Sequence, residues 1–171
     1  MLVAESHFFS PRQELISLYR NKIHYLFFRE WKRVQEEQYV IFRFNAEHYG
    51  VDILSVQEII RPPKITKLPN TPPHVLGVIN LRGNIIPIVD LKIRFNFEDF
   101  QNNKDERIIV LRIDDKLMGI QVDEVQEVLR LKTDQIEQAA DICTTIDREF
   151  IAGIAKLDDR LIILLSLKGS L

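Results

Sequence analysis

Tyr39–Arg61, YVIFRFNAEHYGVDILSVQEIIR, sets over Ile108–Arg130, IIVLRIDDKLMGIQVDEVQEVLR, without a gap. Arg43 falls on Arg112, Gly50 on Gly119, and Val56-Gln57-Glu58 on Val125-Gln126-Glu127. A second correspondence follows in the same order. Val75–Leu91, VLGVINLRGNIIPIVDL, lies over Ile151–Leu167, IAGIAKLDDRLIILLSL, with Gly77 on Gly153. Apolar positions agree nearly throughout. The chain is therefore duplicated, with a period of about seventy residues, too long for a typical solenoid repeat.

Both copies read as strands. "YVIFRF" and "RIIVLRI" are rich in β-branched and aromatic residues, and Asn45 to His48 form a polar turn. "RPPKITKLPNTPP" is a loop, because proline cannot donate to a ladder, and "NFEDFQNNKDE" is a polar connection. The hairpin around Gly83-Asn84 puts glycine first, which predicts a type II′ turn. Pro87 predicts an edge or a bulge in its second arm. Each copy then holds four or five short strands, and such a sheet closes most economically as a small barrel, which removes exposed edges. The expected fold is mainly β: two small barrels side by side, joined along an apolar seam. Arg82, a lone charge among aliphatics, sits at one hairpin tip, where the second copy has Asp158-Asp159-Arg160 in place of Arg82-Gly83-Asn84. The hairpin itself does not obviously require it.

Residues 1–38 differ from the rest, and the expected division is 1–38 and 39–171. Ser10-Pro11 offers a capping hydroxyl and a proline at the first helical position. Leu15, Tyr19, Ile23, Leu26 and Phe27 follow at helical spacing, among Arg12, Arg20, Lys22, Arg29, Lys32 and Arg33. A basic amphipathic helix suits a membrane surface, a partner helix or a packing site on its own protein, and a floppy tail is the other reading. A further reading starts the natural chain at Val34. Valine is encodable by GTG, and Phe28-Arg29-Glu30 by bases that include a ribosome-binding AGGGAG. The intact mass of the native protein decides between a start at Met1 and one at Val34.

Composition narrows the function classes. The 171 residues carry a net charge of −2, which gives no general electrostatic footprint for nucleic acid. A β-barrel nucleic-acid binder would also need a basic face with exposed aromatics. No apolar run reaches the roughly 18–20 residues of a membrane span, and "MLVAESHFF" lacks the layout of a secretory signal. The expected location is the cytoplasm. The single cysteine, Cys143, rules out a disulfide within the chain and reads as a small semi-buried residue. His7, His24, His48 and His74 show no metal-ligand spacing, and no nucleophile elbow or phosphate loop is present. Asp114-Asp115 and Asp158-Asp159 fall at turns, where aspartate is favoured for local backbone reasons. No enzyme, cofactor or metal is expected.

"YGVDILSVQEII", "NTPPHVLGVINLRGNIIPIVDL" and "IAGIAKLDDRLIILLSL" together resemble the CheW-like family of bacterial chemotaxis coupling proteins, over about Gln38 to Leu171. The resemblance implies two five-stranded β-barrels around a shared hydrophobic core. It also implies an adaptor that links the cytoplasmic tips of chemoreceptors (methyl-accepting chemotaxis proteins) to the regulatory domain of the histidine kinase CheA. The chain is expected to be a monomer away from its partners. In the family the arginine of the "NLRG" turn matters for coupling, and this carries over to Arg82, framed by Asn80 and Gly83. Without the resemblance, Arg82 reads as a solvated turn arginine. Val56, Glu58 and Ile59 match family positions for receptor or kinase binding, while the residue pattern alone puts Val56 and Ile60 in the core. Val125 and Val128 of the second copy are expected to line the opposite wall of an apolar groove between the barrels. Coupling in another CheA-like pathway, controlling pili or gene expression, is the alternative. Some family members continue as a helix beyond the last strand, where this sequence stops at Leu171.

Overall fold

The computed structural model describes residues 36–97, 105–138, 150–157 and 159–167. The helix expected from Ser10-Pro11, the proposed start at Val34, His7, His24, Cys143 and Asp158 lie outside the described residues. The first copy supplies β1 (Glu36–Phe44), β2 (Glu47–Asp52), a 3-10 turn (Ile53–Ser55), β3 (Val56–Ile60), β4 (Val75–Leu81), β5 (Asn84–Asp90) and the one-turn helix α1 (Leu91–Arg94). The second supplies β6 (Arg107–Ile113), β7 (Lys116–Val122), β8 (Glu124–Lys132), β9 (Ile136–Glu137), β10 (Ile151–Leu157) and β11 (Arg160–Leu165). The aligned segments match strand for strand: β1, β2, β3, β4 and β5 correspond to β6, β7, β8, β10 and β11. The short β9 has its counterpart in Thr66, which bridges to Val78 as Glu137 does to Ile154.

The strands form two sheets, ordered β8-β1-β2-β11-β10-β9 and β3-β6-β7-β5-β4. Neither sheet is one copy of the repeat, which corrects the expectation that each copy makes its own barrel. Each sheet takes its leading hairpin from one copy and the remaining strands from the other, joined by the parallel pairs β2–β11 and β5–β7. The link between β2 and β3, Ile53–Ser55, is a 3-10 turn that carries the chain out of one sheet and into the neighbouring one. Residue Asp123 does the same between β7 and β8.

Alternation along the strands then builds three apolar clusters. Tyr39 and Ile41 of β1 join Leu129 and Leu131 of β8, Ile136 of β9, Ala155 of β10, and Ile162 and Leu164 of β11. Strands from both ends of that sheet meet in one cluster, so the sheet curls round it. The second sheet curls likewise round Ile60, Ile79, Ile86, Ile88, Ile108 and Val110. The opposite faces, including Val40, Phe42, Phe44, Val51, Val89, Ile109, Leu111, Ile120 and Leu165, form a third cluster shared by both sheets. Burial on both faces is why "YVIF" and "IIVL" read as unbroken apolar runs rather than alternating ones. Each fully buried side chain of this kind contributes about 1.5–3 kcal/mol. The shared cluster is capped at one end by aromatics: Phe44 and Tyr49 stack with centroids 3.7 Å apart, with Phe95 and Phe97 beside them.

Pro87 is not on an edge strand, since β5 lies between β7 and β4. It stands just before Ile88, the first residue of β5 paired to β7, so its missing N–H is outside that ladder.

Candidate functional site

Leu81 pairs with Asn84, so the tip of the β4–β5 hairpin is Arg82-Gly83. Both residues have positive φ, +53° and +90°, the signature of a type I′ turn. The expected type II′ turn is therefore corrected: glycine is the second central residue, and Arg82 is the first. The Asn80 side-chain oxygen accepts the Gly83 N–H at 2.9 Å, which fixes the turn from inside. Arg82 Nη2 donates to Glu58 Oε2 at 3.0 Å, with the arginine side chain 78% exposed and the glutamate 22%. β3 and β4 are the two edges of their sheet, so this pair spans the opening of the barrel. An exposed pair of this kind stabilises by at most about 1 kcal/mol. Its larger effect is orientation: Glu58 engages Nη2 and leaves the rest of the guanidinium fork facing outward.

The second copy repeats the device from a different position. Arg160 Nη2 donates to Glu127 Oε1 at 2.6 Å. Glu127 is the counterpart of Glu58, while Arg160 stands where the first copy has Asn84. Both VQE motifs thus meet an arginine of the facing hairpin, at the turn itself in the first copy and at the first residue of β11 in the second. Sequence reading missed this second pair, although the repeat carries the signal: one glutamate and one hairpin arginine in each copy.

The apolar candidates divide by face. Val56 pairs with Leu111 and Ile59 with Ile109, so both stand on the face of β3 that continues into the shared cluster. Val125, opposite Phe42, and Val128, opposite Val40, occupy the same face of β8. Gln57 is the extra residue of a bulge in β3, and its side-chain oxygen accepts from Arg112 Nη2 at 3.1 Å. Val56 and Val125 pack against the shared cluster, whereas Ile59 and Val128 are 41% and 51% exposed. Ile60 packs inside its own barrel.

Between the two sheets, at the end where β1 begins, opens a cleft of about 310 Å³. Tyr39, Val51, Leu111, Leu165 and Leu167 give it an apolar floor. Glu37, Asp52 and Asp114 ring it, with Arg112 the cation among its lining residues and Ala152 exposed at its rim. None of the candidates named from the sequence lines this cleft. The Tyr39 hydroxyl donates to Glu37 Oε2 at 2.6 Å, and burial followed by that carboxylate pushes its ionisation well above the usual range. At the far end, Lys92 Nζ meets Asp123 Oδ1 at 2.5 Å, both nearly buried. Burial pushes the neighbouring Asp90 carboxyl up, opposed by the Lys92 and Ile93 backbone N–H groups. No group of three or more metal-ligating side chains occurs among the described residues. No helix among the described residues is long and apolar enough to cross a membrane.

The two sheets interleave both copies around one shared core, with an arginine set on a glutamate in each copy. Residues 38–171 match the CheW-like domain family. The chain belongs to that family. Among similar CheW proteins, the chemotaxis protein CheW of Klebsiella aerogenes is 37% identical over 77% of this chain and 80% of its own. The chemotaxis protein CheW of Helicobacter pylori is 35% identical over 75% of this chain and 77% of its own. A crystal structure of the scaffolding protein TtCheW from Thermoanaerobacter tengcongensis superimposes with a TM-score of 0.73 at 42% identity, covering 80% of this chain and 88% of that one. As a CheW-like protein the chain is a chemotaxis adaptor and scaffold, not an enzyme.

Proposed function

We propose that this chain links the cytoplasmic tips of chemoreceptors to the regulatory domain of the histidine kinase CheA, through two separate surfaces on residues 39–171. The inter-sheet cleft takes a receptor helix. Its apolar floor suits the apolar stripe of an amphipathic helix, and its mainly acidic rim suits basic flanking residues. The exposed Arg82 fork, held by Glu58, Asn80 and Gly83 and flanked by Ile59, meets the kinase. The observation that carries this reading is the outward-facing Arg82, set on a carboxylate that contributes little to stability. Val56, Val125 and Val128 act from the rim of the shared core. Transient interfaces of this type are modest, and repetition in an array supplies the avidity.

Titration against a labelled receptor cytoplasmic fragment and against the CheA regulatory domain tests the division. Ala152→Trp fills the cleft and is expected to weaken receptor binding tenfold or more while leaving kinase binding within twofold. Arg82→Ala is expected to do the reverse. Equal effects of both variants on both partners contradict the assignment.

A further inference from the structure

The chain crosses between the sheets by two equivalent links, and the repeat sets Leu54 of the first on Asp123 of the second. The two links differ completely. Leu54 is 89% exposed, beside Asp52 and Ser55 of the cleft. The Asp123 side chain is 12% exposed and fully engaged. One carboxylate oxygen meets Lys92 Nζ, and the other accepts the Asn45 N–H at 3.0 Å. The Asp123 N–H donates to the Arg43 carbonyl at 3.0 Å. Lys92 follows β5 of one sheet, whereas Arg43 lies in β1 of the other and Asn45 directly follows that strand. A single side chain therefore ties both sheets. This tie and the cleft lie at opposite ends of the same strands. β1 starts with Glu37 and Tyr39 in the cleft and ends just before Asn45, while β7 starts beside Asp114 of the cleft and ends just before Asp123.

We propose that the Lys92–Asp123 pair is a hinge pin: it fixes the angle between the two sheets and thereby sets the width of the cleft at their other end. A buried ion pair adds little net stability, because desolvation offsets the attraction, yet its directional bonds select one arrangement of the parts it joins. Asp90 does not compete for the role, because its carboxylate accepts the Lys92 backbone N–H at 2.8 Å as a helix cap. Lys92 and Asp123 are positioning residues and touch no partner themselves. The consequence for receptor binding rests on the cleft reading above.

One spin label on each sheet, at Lys156→Cys and Lys116→Cys in a Cys143→Ser background, reports the inter-sheet distance in the full chain. The variants are Asp123→Asn, which keeps an acceptor for Asn45, and the double variant Lys92→Met/Asp123→Asn, which leaves no unpaired buried charge. The expected result is one narrow distance in the parent and at least a twofold broader distribution in the variants. Receptor-fragment affinity is expected to fall about tenfold while CheA affinity stays unchanged. A narrow distribution at the parent distance in the folded double variant overturns the hinge, and so does a double variant that fails to fold, since the pair would then be core support. Broadening without any change in receptor affinity supports the hinge and instead overturns the cleft as the receptor site.

Discussion

At Arg82 the backbone holds a φ of +53°, a region that bulky residues avoid and asparagine tolerates. Nothing in the backbone of the hairpin favours arginine there, and under the proposed reading its side chain serves the kinase contact. Arg82→Asn gives the turn its preferred Asn-Gly pair and removes only an exposed ion pair. Urea melts of this variant are expected to stay within about 1 kcal/mol of the parent, while affinity for the CheA regulatory domain falls tenfold or more. A large loss of stability would return Arg82 to a structural role. Two tyrosines make a separate prediction. Tyr39 and Tyr49 ionise less readily when folded, chiefly through burial. Above the ordinary phenol value of 10.0 the folded state then binds more protons than the unfolded state, so stability falls as pH rises from there. Denaturant melts between pH 9 and about 11 measure this, and Tyr39→Phe should flatten its share of the slope.

Among the strands, two glycines mark the same place in both copies, where β4 and β10 shift register. At Gly77 φ is +143°, and a Cβ would fall 2.2 Å from the Thr66 carbonyl oxygen. That oxygen accepts the Val78 N–H, so the clash would break a backbone pair. At Gly153 a Cβ would meet the Ile136 Cγ2 methyl at 2.6 Å and the Glu137 carbonyl oxygen at 2.9 Å. Gly77→Ala is expected to cost about 3 kcal/mol or more, and Gly153→Ala about 1–2 kcal/mol, in equilibrium unfolding. The reverse ranking would mean that the β9 contact matters more than the Thr66 one. Both glycines were visible in the sequence as an aligned pair, as were the strands and the VQE motifs, because apolar pattern and duplication act locally. The turn type was not visible, since Arg-Gly and Gly-Asn both offer a glycine and only the strand register decides which pair is central. The exchange of strands between copies was hidden for a similar reason. Pairing partners depend on where a three-residue link points, and Ile53–Ser55 carries no residue pattern for that. The cleft escaped because Tyr39, Leu111 and Leu165 look like ordinary strand residues.

At the scale of the molecule, the exchange means that neither copy holds a complete sheet. Fragments 36–97 and 105–171 are each expected to be unfolded alone, by circular dichroism and amide dispersion, and to regain β structure when mixed. A folded fragment would contradict the interleaved topology. The intact domain should unfold in one cooperative step, because the shared cluster includes strands of both sheets. A movement at one sheet is a movement of strands from both copies. Two partners on two surfaces are the core of the proposed role. Analytical ultracentrifugation of this chain with a receptor cytoplasmic fragment and the CheA regulatory domain tests it most directly. A single species containing all three is the expected result, reduced to the receptor pair by Arg82→Ala and to the kinase pair by Ala152→Trp. Two binary complexes that exclude each other would contradict it.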